Sequence, residues 1–228
     1  YDAQWYLKIA DSGYPPHPKI ISMKDKKILD GLTYVFFPAY PIVISFINLP
    51  LKNVELSAFI VTNILLVINF FSLYFVLSKF YKTSIVLKTI FLIFLFPLSI
   101  FLRSYFTEEL FLLGLVWFAY FLIKGRWLTT ALILGCLACT RPTGLFLLPI
   151  FFFILTKRLV KKDIAFIKYL ILLLIAILPF ALWMFYCYIQ TGNAFYFYYA
   201  RSAWFSNLFP LFHNLKLLYF FPNLPVHG

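Results

Sequence analysis

The chain has 228 residues, of which 63% are hydrophobic and only 12% charged, and its formal net charge is +12. A soluble domain carries about 25% charged residues, so this composition excludes an ordinary soluble domain, a disordered chain and a small disulfide scaffold. It predicts an all-α, polytopic transmembrane bundle, in which the placement of basic residues matters more than their sum and nucleic acid is not the natural partner.

Residues 1–55 read as an outer, non-cytoplasmic loop with amphipathic helices. YDAQWYLKIADSGY sets Trp5, Tyr6, Ile9 and Ala10 on one helical stripe. Asp2 is placed to cap that helix, and Gly13-Tyr14-Pro15-Pro16 ends it. His17 and the Lys-rich MKDKK read as exposed loop. TYVFFPAYPIVISFINLP then reads as an interfacial helix that does not cross the bilayer.

Six spans follow, at about 56–78, 85–102, 110–123, 127–140, 142–156 and 169–189. Several are shorter than the ~20 residues a spanning helix needs. Arg141-Pro142 separates the fourth from the fifth, since proline lacks an N–H and disfavours helix at the residue before it. Residues 190–228 read as an outer loop and the start of a further helix. The chain reads as a fragment that lacks a preceding span and a C-terminal part.

Lys79, Lys82, Lys88, Lys124, Arg126, Lys157, Arg158, Lys161, Lys162 and Lys168 fall in one set of alternating loops. Arg103, Arg141 and Arg201 fall in the other. Short loops rich in Lys and Arg lie in the cytoplasm, so the first set is assigned there. The three sparse arginines share the outer face with Asp2, Asp11, Glu108 and Glu109. Each arginine is explained by snorkelling to headgroups; three on one face, beside acids, point to a shared polar site. Cys136 and Cys139 form a CxxC within the apolar run LILGCLAC, where packing is the simpler reading than zinc or redox chemistry.

YDAQWYLKIADSGY resembles the W-D-x-x-W/F-Y-x-x-I-A-x-x-G-Y motif of the GPI mannosyltransferase 2 (PIG-V-like) family, with Tyr1 in place of its Trp. Phe36-Phe37-Pro38-Ala39-Tyr40-Pro41 resembles that family's F-F-P-L-Y-P. Residues 104–111 resemble its S-x-Y-T-E-x-L-F, with Phe106 before Thr107. Thr140-Arg141-Pro142-Thr143-Gly144 resembles its R-x-x-G segment, and Gly192-Asn193 followed by Tyr199 its later outer loop. The family belongs to the GT-C glycosyltransferase superfamily.

The resemblance implies a GT-C-like fold in a bacterial plasma membrane or endoplasmic reticulum membrane. Its site would lie on the non-cytoplasmic side. A sugar, mannose by the family's example, would pass from a polyprenyl-phosphate donor of the dolichyl-phosphate-mannose type to a hydroxyl of a glycolipid or glycan acceptor. Asp2 would be the catalytic base. Arg141, Arg201 and Arg103 are candidates for the donor phosphate, because the guanidinium fork suits phosphate oxygens. Trp5, Tyr6, Asp11, Glu108 and Tyr199 are candidate substrate contacts. The sequence requires no cofactor; a divalent metal at Glu108 is an open alternative to that residue simply favouring a helix N-terminus. The rival readings are a transporter or lipid flippase, for which no internal repeat is found, and a structural membrane subunit.

Overall fold

The computed structural model describes residues 2–16 and 30–205. His17, the MKDKK stretch and the helix expected within 206–228 lie outside these residues. Among the described residues every regular element is helical.

Helix α1 (Asp2–Ser12) buries Tyr6, Ile9 and Ala10, the spacing that brings side chains to one helical face. A 3-10 segment, Asp30–Val35, precedes α2 (Ala39–Leu51). The helices α1 and α2 pack on each other and on α3 (Val54–Leu77). Asn53 caps α3, its side chain accepting a hydrogen bond from the Leu56 backbone N–H at 3.0 Å. Two contacts fix α1 and its exit: Ser45 donates to the Ala10 carbonyl at 2.8 Å, and the Tyr14 hydroxyl donates to the Phe36 carbonyl at 2.7 Å. At 13 residues, α2 would reach only about 20 Å along its axis.

The expectation of one continuous span over 85–102 is corrected. Helix α4 (Thr83–Leu95) stops at Phe96, whose φ of −59° and ψ of 135° are extended. Pro97 is the cause: it excludes helical geometry at the residue before it. The chain then forms a 3-10 segment, Pro97–Leu102.

The core of the bundle joins α5 (Glu108–Ile123), α6 (Trp127–Ala138), α7 (Leu147–Val160) and α8 (Phe166–Thr191). Leu134, Leu137, Phe151, Leu155, Leu172 and Ala176 are buried in it. Between α6 and α7 the backbone opens at Arg141 (φ −153°, ψ 152°) and re-enters a 3-10 segment, Pro142–Phe146, again as a proline requires. Helix α9 (Tyr196–Phe205) packs on the Asp30–Val35 segment and on α8.

Three stretches are long and apolar enough to cross a membrane: Val54–Leu77, Pro142–Val160 and Phe166–Thr191. Large apolar side chains line their outer surfaces, among them Phe71, Phe153 and Leu174. Such surfaces suit lipid, where burying them against water's alternative stabilises at roughly 25 cal/mol per Å². The chain is accordingly a membrane protein.

Candidate functional site

The Tyr6 hydroxyl is the meeting point of the predicted residues. Tyr6 is buried edge-on against Phe36, with ring centroids 5.0 Å apart, and against Tyr40, at 5.5 Å. Trp5 stacks on the outer side of Phe36 at 6.1 Å. The FFPAYP segment therefore does structural work: its aromatics hold α1 in place. Burial raises the Tyr6 pKa to about 12, opposed by a hydrogen bond with the Thr107 side chain. The charges of Glu108, Arg141 and Asp2 all act on this hydroxyl. Charges or bonds from three sequence-distant pieces thus act on one hydroxyl: the start of α1, Thr107 with the first residue of α5, and the α6–α7 junction.

Arg141 and Glu108 form an ion pair at 2.5 Å, with both side chains partly exposed. Glu108 Oε1 is engaged there, and among the described residues no cluster of three metal-ligating side chains exists. One arginine nitrogen contacts the acid, and a guanidinium has five N–H donors, so donors remain for a ligand. The pair borders an apolar cavity of about 570 Å³ between α4 and α5, lined by Leu92, Phe96, Phe111 and Leu115.

Arg141 owes its position to the tight approach of Gly144 to α6. A Cβ on Gly144 would lie 2.2 Å from the Leu137 carbonyl oxygen. Gly144 N–H donates to the Arg141 carbonyl at 2.9 Å. The end of α6 is also tied to the N-terminal unit, because the Ala39 N–H donates to the Cys139 carbonyl at 3.0 Å.

Apart from Asp2, the remaining predicted residues are not among the groups that act on the Tyr6 hydroxyl. Asp2 is exposed in the first turn of α1, at the positive end of the helix dipole. Asp11 is exposed at the other end of α1 and accepts from the Ser12 hydroxyl at 3.1 Å. Arg103 lines two other cavities, beside Ala3 and between α3 and α4. Tyr199 and Arg201 stand on α9; Tyr199 leans on Tyr196 at 5.9 Å, and Tyr196 packs edge-on against Tyr34 at 5.2 Å. That aromatic cluster also holds Trp183 and Tyr14.

Sequence reasoning set Glu109 beside Glu108 on the outer face and did not separate the two. The Glu109 carboxylate is buried between α5 and α3, where Asn69 Nδ2 donates to Glu109 Oε2 and to the Glu109 carbonyl. Comparison with protein-family models, with curated proteins and with solved structures gives no match for this chain.

Proposed function

We propose that the protein is an integral-membrane glycosyltransferase of GT-C type. In this reading it moves a sugar, mannose by resemblance, from a polyprenyl-phosphate donor to the hydroxyl of a glycolipid or glycan acceptor on the non-cytoplasmic face. The fold would be a bundle crossing the bilayer about six times, with the shorter helices α4, α5 and α6 completing their crossings through flanking segments. The observation that carries the reading is the Arg141–Glu108 ion pair, whose charges, together with that of Asp2, act on the Tyr6 hydroxyl. It is joined by the apolar cavity that the Arg141–Glu108 pair borders.

The chemistry follows from those groups. A hydroxyl is a weak nucleophile at neutral pH, and Asp2 would accept its proton as the oxygen attacks the anomeric carbon. The bond from that carbon to the lipid-phosphate oxygen breaks, and the electron pair leaves with the phosphate. Attack from the face opposite the leaving group inverts the anomeric centre. Arg141 would hold the departing phosphate through the N–H donors that Glu108 leaves available. The lipid chain would occupy the cavity between α4 and α5.

The direct test is transfer from a polyprenyl-phosphate sugar by the protein reconstituted in nanodiscs. Asp2→Asn keeps the shape and removes the base, so the rate should fall by roughly 10²–10⁴-fold. Full transfer by that variant would end the base assignment. Arg141→Ala should lower kcat/KM for the donor by roughly 10²-fold; unchanged donor kinetics would remove Arg141 from the site.

A further inference from the structure

Two further cavities lie apart from the one beside Arg141, and one of them is across α4 from it. The first is the more polar of the two, about 690 Å³, and opens beside Ala3; Asn63, Ser104 and Tyr105 contribute to its wall. The second is a groove of about 700 Å³ between α3 and α4, walled by Val67, Phe70 and Phe91. Leu66 and Arg103 belong to both. They form a joint between a polar compartment and an apolar channel.

Three features define what fits there. No acid lines either cavity, and the charged residues that do are Arg103 and Lys88. Unlike Arg141, Arg103 has no ion-pair partner among the described residues. The polar wall keeps hydrogen-bonding capacity: Asn63 Nδ2 donates to the Phe59 carbonyl at 2.7 Å, which leaves its Oδ1 to accept. A headgroup with both a negative charge and hydroxyls, attached to a hydrocarbon chain, matches this order of surfaces.

We propose that this bipartite cavity binds one anionic phospholipid. Its phosphate sits on Arg103, its polar headgroup faces Asn63 and Tyr105, and one chain runs along Leu66 and Phe70 between α3 and α4. Arg103 thereby serves a different ligand from Arg141. The site does not rest on the transferase reading and would stand with any activity.

The test is lipid retention. The protein is reconstituted in nanodiscs holding equal amounts of phosphatidylglycerol and phosphatidylcholine, extracted gently, and its bound lipid is identified by native mass spectrometry. The wild type should retain phosphatidylglycerol in preference. Arg103→Ala should reduce that preference by about fivefold, the effect of one basic residue at an anionic surface. Leu66→Trp, which fills the joint, should lower retention of both lipids. Lys88→Ala is the control at the groove and should leave the preference intact. An unchanged preference in Arg103→Ala, or its loss in Lys88→Ala, overturns the assignment. Phosphatidylcholine retained by Arg103→Ala at wild-type level reports that the variant is folded.

Discussion

Glu108 pairs with Arg141, and the next residue, Glu109, is turned by about 100° around α5 into the interface with α3. There Glu109 is 1% exposed, and Glu109 Oε1 and Asn69 Oδ1 are both buried without a hydrogen-bond partner among the described residues. An ionised carboxylate brings only acceptors to this pair, whereas a glutamine would bring the missing donor. Glu109→Gln should therefore unfold at the same temperature as the wild type or higher. Asn69→Leu removes the carboxylate's donor and should cost about 1–3 kcal/mol. Thermal unfolding in detergent measures both, and a large loss in Glu109→Gln would show that the negative charge itself is required. Nothing in the local string TEEL separates the two glutamates. The distinction is made by Asn69, 40 residues earlier in the chain. Position 108 was legible because a motif singled it out; position 109 depends on which helix lies opposite.

At the scale of elements, prolines and one glycine set the joints. The helices from α5 to α8 begin and end close to where hydropathy and Arg141-Pro142 place them. The stretch after α4 is not one helix, because Pro97 breaks a run as apolar as FLIFLFPLSIFL. Gly144 shows a different kind of constraint. A methyl group there would meet the Leu137 carbonyl oxygen at 2.2 Å and its carbon at 2.6 Å, backbone atoms that cannot rotate aside. Gly144→Ala should push the Pro142–Phe146 segment away from α6, cost about 1–3 kcal/mol, and carry Arg141 with it. Gly192 ends α8 with φ of 75° and open space around it. Gly192→Ala should cost only the conformational penalty, about 1–2 kcal/mol, with Arg141 undisturbed. Comparing the two variants by unfolding and by donor kinetics separates loss of stability from loss of position; equal donor kinetics in both would contradict the role given to Gly144. The R-x-x-G string was legible as a motif, but the reason for its glycine lies in the approach to α6.

For the whole molecule, the sequence carried the helical class and its membrane character, since composition and apolar run length suffice for both. It did not carry the way α1 and α2 fold onto the bundle, which depends on the aromatic contacts of Tyr6 and Tyr40 and on the bond from Ala39 to Cys139. Under the six-crossing proposal, the Lys-rich turns at 79–82 and 157–162 share the cytoplasmic side, and the 103–107 loop faces outward. Single cysteines at Lys161 and at Ser104, in a background lacking the three native cysteines, should label from opposite sides with a membrane-impermeant maleimide. Labelling of both from one side would refute the topology.

Helix α4, at 13 residues, extends about 20 Å against a hydrocarbon layer of about 30 Å. Cavities flank it on both faces. A short wall between two openings lets a lipid-borne molecule arrive sideways, without leaving the bilayer. The search then takes place in two dimensions, and the governing quantity is surface density. Occupancy of either cavity should follow the mole fraction of its ligand in the membrane and stay constant when protein and lipid are diluted together.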